Sequence, residues 1–347
     1  MAEKNHTNQL LVDVKNLRTY FHLLEGTVKA VDGVSFELYQ GKTLGVIGES
    51  GCGKSVTSRS LMQLIETPPG KIEEGEINFH YYNDDGSLKE KVNIAGLKAD
   101  GKEMRTIRWK DIAMIFQEPM TSMSPVHTVY DQIDEAMKIH IPSMTKEERR
   151  ERAVELLRRV GIPKPDTMVD AYSYQLSGGM RQRAMIAMAL SCNPKLLIAD
   201  EPTTALDVTV ESQILELIRE IQDEYNMGIM YISHDLAVVA EMSDDIMVMY
   251  LGQVVEMTDG DTIFKEPLHP YTQALWRSIP QIDGDLERLE PIKGTIPSPY
   301  YKHTGCRFYG RCEKRIEGKC NTSFPELLEV KPGHKVRCFL YEDGVQA

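Results

Sequence analysis

Short apolar runs alternate along this chain with stretches in which apolar residues recur every three or four positions. Three of the runs predict buried strands, at residues 43–47, 196–199 and 229–232. An amphipathic stripe lies between the second and third runs, and its members are Val210, Ile214, Leu217, Ile218 and Ile221. This spacing predicts a helix packed on a sheet. Strands alternating with helices are typical of an α/β fold.

The alternation is interrupted at about residues 125–180, where the patterns are helical. Thr145 followed by Glu148 forms a candidate capping box, and the stripe that begins there stops at Gly161. We therefore predict a helical subdomain inserted into the α/β core. Residues 81–101 are polar and rich in turn residues, which favours an exposed hairpin or loop.

The pattern changes again after about residue 280, where Pro, Gly and Cys become frequent. We predict two regions, an α/β region at 1–280 and a C-terminal extension at 281–347. Four of the six cysteines fall in the extension: Cys306, Cys312, Cys320 and Cys338. In a reducing cytosol such clustering favours a metal site over disulfides.

Composition limits the functions open to the chain. Its 347 residues are 41% hydrophobic, enough for a sizeable core. The apolar runs fall far short of the roughly 18 residues of a membrane-spanning helix, and the first ten residues lack the pattern of a secretory signal. We expect a cytoplasmic chain. The net charge of −12 argues against a nucleic-acid partner and leaves room for a local nucleotide pocket.

The strongest chemical motif follows the first predicted strand. Its residues are Gly48, Glu49, Ser50, Gly51, Cys52, Gly53, Lys54 and Ser55, with Val56 next. This spacing before a helix fits a phosphate-binding loop, because glycines allow tight turns that aim backbone N–H groups at phosphate oxygens. We expect Lys54 to contact the β- and γ-phosphates of ATP and Ser55 to ligate Mg²⁺.

Two carboxylates end the second predicted strand. Asp200 at the carboxyl edge of a parallel strand suits binding of Mg²⁺ through water. Glu201 can then orient and deprotonate an attacking water. A strand that ends in Asp-Glu is by itself a common solvated edge. The phosphate loop in the same chain favours the functional interpretation.

A third motif, Leu176-Ser177-Gly178-Gly179-Met180, opens a helical run. A serine and two glycines at a helix N-terminus form a second anion site. Here the chain resembles the ABC ATPase family, whose signature sequence is LSGGQ. Met180 stands where the family usually has Gln. We expect this to alter contacts modestly, because the serine and the backbone amides carry the phosphate interaction.

The resemblance implies roles for further residues. Gln117, in MIFQEP, matches the loop glutamine that senses Mg²⁺ and water. Asp207, in TTALD, matches the loop residue that meets a second ATPase across a dimer. His234, in YISHD, matches the histidine that contacts the γ-phosphate. Phe21, with Tyr20 as second choice, matches the aromatic residue that stacks on adenine.

The family's fold and mechanism follow as expectations. The resemblance covers roughly residues 10–280 and implies a phosphate-loop ATPase core, a RecA-like sheet plus an antiparallel β subdomain. Two ATPases would sandwich ATP, each site joining one chain's phosphate loop to the signature residues of the other chain. In this chain the residues that reach across are Ser177, Gly178, Gly179 and Asp207. Glu201 would act as the base, with His234 and Lys54 as electrostatic stabilisers.

Several stretches resemble one branch of the family, the oligopeptide/dipeptide importer ATPases: FQEPMTSMSP, SGGMRQRAMIAMAL, ADEPTTALDVTV and HPYTQALW. That branch carries four C-terminal cysteines proposed to hold a 4Fe–4S cluster, which here implies Cys306, Cys312, Cys320 and Cys338. Zn²⁺ stays open as an alternative, with His303 or His334 as further ligands. The spacing lacks the close Cys pairs usual in structural zinc sites, which favours the cluster.

The resemblance implies the chain's role and partners. It would be the ATP-hydrolysing subunit at the cytoplasmic face of the cell membrane. Its partners would be a second ABC ATPase subunit, forming a heterodimer, two transmembrane permease subunits and an extracytoplasmic solute-binding protein. Oligosaccharide import stays open. One set of motifs and an acidic charge disfavour a soluble ABC ATPase of DNA repair or translation, and Glu201 with His234 disfavours a non-hydrolysing regulatory subunit.

Overall fold

The computed structural model describes residues 9–117, 122–204, 206–278 and 292–342. The strands, numbered along the chain, are β1 (Leu10–Leu23), β2 (Gly26–Tyr39), β3 (Thr43–Ile47), β4 (Gly70–Tyr82), β5 (Leu88–Asn93), β6 (Ile112–Ile115), β7 (Leu196–Asp200), β8 (Gly228–Ile232), β9 (Asp245–Tyr250), β10 (Gln253–Asp259), β11 (Leu328–Lys331) and β12 (His334–Val336). The helices are α1 (Lys54–Leu61), α2 (Lys102–Ile107), α3 (Val129–His140), α4 (Lys146–Arg159), α5 (Pro165–Met168), α6 (Gly178–Leu190), α7 (Val208–Tyr225), α8 (Leu236–Met242), α9 (Gly260–Lys265) and α10 (Pro270–Arg277).

The chain divides into two compact units. The first consists of Met1–Val12, Glu37–Thr43 and Phe79–Ile232. In it β6, β7 and β8 are parallel neighbours, with Leu197 opposite Ala113 on one side and Ile229 on the other. Every residue of these strands is buried, as expected for parallel strands covered on both faces. Their carboxyl ends therefore lie at one edge of the sheet.

Helices of the first unit begin where the sequence predicts. The N–H of Glu148 donates to Thr145 Oγ1 at 3.2 Å, and Glu148 Oε2 accepts the N–H of Thr145 at 2.7 Å, completing the capping box of α4. Gly161 follows this helix with φ +72°. Between β6 and β7 the described residues form helices and no strand, so the helical pattern is confirmed. Its definition as a subdomain stays a prediction.

The predicted strands of this unit are confirmed with small shifts. β7 extends one residue further, to Asp200, and β8 begins one residue earlier, at Gly228. On α7 the predicted stripe is buried at Ile214 and its later members, whereas Val210 in the first turn is half-buried. The predicted hairpin is also present: Asn83 N–H donates to the carbonyl of Ser87 at 2.9 Å in the turn between β4 and β5.

The second unit consists of Asp13–Phe36, Leu44–Asn78 and Ser233–Ala347. Its larger sheet has the order β11-β12-β10-β9-β3. β3 runs parallel to β9, and the remaining neighbours are antiparallel. β12, from the C-terminal extension, pairs with β10 so that Val336 lies opposite Glu256. A smaller sheet has the order β2-β1-β4 in this unit.

One glycine sets the position of β3. A Cβ built on Gly45 would lie 2.4 Å from both Val239 Cγ1 and Ser243 Oγ. Helix α8 therefore packs directly on the backbone of β3, a contact that a larger side chain would prevent. This packing fixes the strand that leads into residues 48–55.

Two sequence predictions lie outside the described residues. The boundary between 280 and 281 falls within 279–291, and residues 118–121 belong to the FQEPMTSMSP stretch. The boundary remains a prediction. Among the residues described, we find no helix with the length and apolarity needed to cross a bilayer.

Candidate functional site

The phosphate loop of the second unit requires glycine at two positions. Gly48 has φ +150°, and a Cβ there would lie 2.3 Å from the carbonyl oxygen of Met249. Gly53 has φ +107°, and a Cβ there would lie 2.3 Å from the carbonyl oxygen of Ala30. The loop thus bends where only glycine fits. Gly53 also precedes α1 without a capping side chain, the arrangement that suits anion binding at a helix N-terminus.

Lys54 points its ammonium group into this loop. Its Nζ donates to the carbonyl of Gly48 at 2.6 Å and to that of Glu49 at 3.4 Å. Ser55 follows in the first turn of α1 and is half-buried. Burial raises the pKa of the Cys52 thiol, so this side chain stays neutral and has no evident catalytic part.

A cavity of about 1020 Å³ adjoins the loop at Gly51. Arg18, Lys29 and Asp32 contribute charged groups to its lining, and Tyr300 contributes an aromatic ring. Its volume is at the upper end of the range for small-molecule sites. The second unit therefore offers nucleotide-sized space beside the phosphate loop.

The two residues expected near adenine have different surroundings. The hydroxyl of Tyr20 donates to Asp32 at 2.6 Å, and burial, together with the Asp32 carboxylate, raises the pKa of Tyr20 to about 12. Phe21 lies close to Gly70, where an added Cβ would be 2.8 Å from its ring. Tyr20 is thus held by the hydrogen bond from its hydroxyl to Asp32. Phe21 as the adenine-stacking residue stays a prediction.

In the first unit, two carboxylates stand at the end of β7. Asp200 is the last residue of the strand and is buried, only 2% exposed. Glu201 is half-buried and has φ +51°, a conformation uncommon for a residue other than glycine. Its N–H donates to the carbonyl of Ile232 at 2.8 Å, which ties this turn to the end of β8. Such strained backbone is concentrated at functional sites.

Two neutral donors hold the carboxylate of Glu201. Gln117 Nε2 donates to Oε2 at 2.8 Å, and Thr204 Oγ1 donates to the same oxygen at 3.0 Å. The structure thus joins two predicted site residues, Gln117 and Glu201. Thr204 was not among the predicted site residues, although it lies within the ADEPTTALDVTV stretch.

Ser177 is exposed and caps α6. Its Oγ accepts the N–H of Met180 at 3.3 Å, so the serine satisfies one of the helix's unpaired donors. Gly178 is exposed with open space where a Cβ would lie. The start of α6 therefore presents a serine and bare backbone at the surface of the first unit.

Asp207 plays the same capping part for α7. Its Oδ1 accepts the N–H of Val210 at 3.0 Å. A Cβ on Gly179 would lie 3.1 Å from Val210 Cγ1, so the starts of α6 and α7 are in contact. The structure brings the predicted signature residues and Asp207 to one part of the first unit.

His234 is exposed in the second unit, just before α8. Its neighbours fix the backbone on both sides: Asp235 N–H donates to Ser233 Oγ at 3.0 Å, and Asp235 Oδ1 accepts the N–H of Ala237 at 2.9 Å. These hydrogen bonds fix the backbone of the turn that carries the exposed histidine. Its contact with a γ-phosphate stays a prediction.

The four C-terminal cysteines are free thiols that line one small cavity. Burial, reinforced by the neighbouring sulfurs, raises the pKa of Cys306 to about 11 and that of Cys338 to about 12. It also raises the pKa of Cys312. The thiols of Cys306, Cys312 and Cys338 are therefore neutral in this structure, and a bound metal would have to displace their protons.

Within the described ranges, no group of three or more His, Cys, Asp or Glu side chains is arranged to hold a metal ion. The expected metal centre is thus not supported as a preformed ion site. His334, the alternative ligand, has its Nε2 2.8 Å from Oε1 of the buried Glu256. That carboxylate also accepts the N–H groups of Leu268 and His269.

Comparison with known families identifies the fold. Residues 31–204 match the family described as ABC transporter. The chain belongs to the ABC transporter family. Residues 255–320 of this ABC chain also match the family described as oligopeptide/dipeptide transporter, C-terminal region.

Curated relatives match nearly the whole ABC chain. The oligopeptide transport ATP-binding protein AppD of Bacillus subtilis is 49% identical, over 96% of this chain and 97% of its own. The dipeptide transport ATP-binding protein DppD of Escherichia coli is 44% identical, over 94% of this chain and 96% of its own. These similarities confirm the branch that the sequence resembles.

A solved ABC cassette confirms the fold class. A dimeric ATP-binding cassette in a post-hydrolysis state with ADP and Pi aligns with a TM-score of 0.60 and 27% identity. The alignment covers 72% of this chain and 98% of that cassette. The predicted α/β ABC-type fold is therefore correct.

Proposed function

We propose that this ABC chain hydrolyses ATP to drive import of short peptides through partner membrane subunits. The observation that carries the proposal is the pair of family matches in one chain, an ABC transporter region and an oligopeptide/dipeptide transporter C-terminal region. The relatives named for oligopeptide and dipeptide transport support the same assignment over nearly the full length.

Different residues of the chain bind the phosphates and activate the attacking water. The phosphate loop and Lys54 bind the phosphates, and their N–H and ammonium donors stabilise the charge that develops as the bond to the γ-phosphate breaks. Glu201 accepts the proton of the attacking water. The donors from Gln117 and Thr204 support this role, because two hydrogen bonds to one oxygen restrict rotation of the carboxylate. His234 contacts the γ-phosphate.

Mg²⁺ fits the donor chemistry of these residues. Ser55 offers a hydroxyl, Gln117 an amide oxygen and Asp200 a carboxylate that acts through water, and Mg²⁺ prefers such oxygen ligands. The ion supplies charge neutralisation to the phosphates when bound.

A second ABC ATPase subunit completes each site. We propose that Ser177, Gly178, Gly179 and Asp207 approach the ATP held by that subunit. The exposure of Ser177 and Gly178 supports this, because an anion from another chain can reach the start of α6. The assembly contains this chain and a related ATPase as a heterodimer, two transmembrane permeases and an extracytoplasmic solute-binding protein. The chain lies at the cytoplasmic face of the membrane.

A 4Fe–4S cluster is the metal centre that the four cysteines suit best. Four thiolates are the usual ligands of such a cluster, and these sulfurs line a common cavity. Structural zinc sites usually contain closely spaced Cys pairs, which the spacing of these four cysteines lacks. The cluster would give structural support to the extension, where it supplies covalent links in place of a large apolar core.

Reconstitution tests the proposed function. The chain would be purified with the permeases and solute-binding protein that co-purify with it, placed in liposomes with internal ATP, and assayed for phosphate release and solute uptake. We expect di- to pentapeptides to stimulate hydrolysis and to accumulate. Stimulation by oligosaccharides alone would establish the alternative solute. Hydrolysis indifferent to permeases and solutes would contradict a transport role.

A further inference from the structure

One arginine of the C-terminal extension holds the phosphate loop. The Arg311 guanidinium binds both carboxylate oxygens of Glu49, with Nη1 2.6 Å from Oε2 and Nη2 2.9 Å from Oε1. Both residues belong to the second unit, and 262 positions separate them along the chain. The side chains are 5% and 22% exposed, respectively. Bidentate, charge-assisted bonds of this kind fix direction as well as distance.

Other contacts fix Arg311 in place. Its Nε donates to the carbonyl of Lys293 at 3.1 Å, and Nη1 also donates to the hydroxyl of Tyr250 at 3.4 Å. The guanidinium carbon lies 5.9 Å from the ring centroid of Phe308. These partners orient the planar fork without help from Glu49. Arg311 is therefore preorganised to place the loop.

Tyr271 holds the same loop residue by its backbone. The N–H of Glu49 donates to the Tyr271 hydroxyl oxygen at 2.8 Å. Tyr271 is buried, and its ring packs 4.7 Å from that of Tyr250 and 5.4 Å from that of Phe308, centroid to centroid. Glu49 is thus anchored at main chain and side chain, and its own carbonyl accepts a hydrogen bond from Lys54 Nζ at 3.4 Å.

The ion pair with Arg311 also neutralises the negative charge of Glu49. Glu49 brings an anion into a loop that binds phosphates, and like charges repel more strongly where partial burial limits screening by water. Arg311 supplies the matching positive charge. Its neighbour Cys312 is one of the four clustered cysteines, so the same segment carries both features.

We propose that Arg311 is a positioning residue for the phosphate loop, which it holds and neutralises through Glu49. ATP affinity then depends on the docked extension, of which the structure describes residues 292–342. Arg311 acts through Glu49 and does not touch the reacting atoms. The inference rests on the proposed role of the loop in binding ATP.

Arg311→Met, in the full-length chain within the assembled transporter, tests the proposal. We expect the KM for ATP to rise about tenfold, with kcat changed less than about twofold, because a loop that is competent about a tenth of the time lowers apparent affinity by that factor. Arg311→Lys keeps the charge and loses the fork, so we expect a smaller rise. Arg315→Met is the matched control. Arg315 lies in the same segment, is 46% exposed and pairs with Glu317, and we expect wild-type KM.

A second substitution separates positioning from general support of the fold. Glu49→Gln combined with Arg311→Met removes the uncompensated anion. We expect the KM of the double variant to fall at least about threefold below that of Arg311→Met, since the repulsion is gone. If Arg311 only stabilised the extension, the added substitution would not restore affinity. That result, or a wild-type KM for Arg311→Met, would overturn the inference.

Lys54→Ala distinguishes the inference from the function on which it rests. We expect this variant to lose binding of radiolabelled ATP in equilibrium dialysis. Wild-type binding by Lys54→Ala would refute the proposed role of the loop, and the inference with it. Lost binding by Lys54→Ala, together with a wild-type KM for Arg311→Met, would refute the inference alone.

Discussion

Gln117 Nε2 and Glu201 Oε2 are joined by a hydrogen bond of 2.8 Å. One residue follows β6 and the other follows β7, neighbouring parallel strands of the first unit. The proposed catalytic base is thus bonded to the loop residue proposed to sense Mg²⁺ and water. A change in the position of Gln117 would reorient the base, so the two roles are coupled by geometry.

Glu201→Gln should leave ATP binding nearly intact and reduce turnover at this chain's own site by at least about a hundredfold. The substitution removes the proton acceptor and preserves shape. Steady-state phosphate release measures it, with the partner ATPase's own site disabled. Glu216→Gln, an exposed acid on α7, is the control and should retain wild-type rates. Turnover by Glu201→Gln equal to the control's would refute Glu201 as the base.

Ser177→Arg should block hydrolysis of ATP bound to the partner subunit and spare ATP bound to this chain. An arginine at the start of α6 would obstruct a γ-phosphate approaching from another chain. Ser177 also caps its helix, so the substitution costs about 1 kcal/mol of stability on that account. Ser177→Ala removes the same cap and the hydroxyl without adding bulk, so the difference between the two variants measures the obstruction by arginine. Photo-crosslinked ATP on the partner reports the result, and its normal hydrolysis in Ser177→Arg would contradict the shared site.

His269 should make the protein less stable in acid. Burial lowers the pKa of His269 from 6.5 to about 4, although the negative charge of Glu256 acts in the opposite direction and raises it. At pH values between about 4 and 6.5, His269 is protonated in the unfolded chain and neutral in the folded chain. The free energy of unfolding therefore decreases as the pH falls through this range. From pH 7 to pH 5 the loss amounts to about 2 kcal/mol.

His269→Asn removes this titration and keeps an acceptor for the N–H of Tyr271, which His269 Nδ1 accepts at 3.0 Å. Urea unfolding at both pH values should show a smaller pH-dependent loss than in wild type. His127→Asn, at an exposed histidine, should behave as wild type. Equal losses in wild type and His269→Asn would show that His269 does not supply the effect.

The four cysteines should bind about four irons per chain when the protein is purified without oxygen, with broad visible absorption. Cys312→Ser should lose the iron, because it removes one of four ligands. Cys192→Ser, at an isolated buried cysteine, should keep it. One zinc per chain in a colourless protein would refute the cluster and establish the zinc site. A metal-free protein would refute both.

The sequence predicted what local patterns encode. The strand at 43–47 is confirmed at both ends, because a short apolar run before a glycine loop leaves few choices. Thr204 and Glu201 both lie in the ADEPTTALDVTV stretch. Their hydrogen bond depends on the backbone conformation of the turn, which the sequence pattern does not specify. The pairs Arg311–Glu49 and Glu256–His334 span 262 and 78 positions. Charged residues form 27% of the chain, so no local pattern singles out such distant partners.

The pairing of β12 with β10 has a consequence for proteins truncated before the C-terminal extension. A chain ended at residue 280 would lose β12 and leave N–H and C=O groups of β10 unpaired. An unprotected strand edge recruits strands from other molecules and promotes aggregation. A shortened chain should therefore aggregate more readily than the full-length protein, because the extension supplies the strand that pairs with β10.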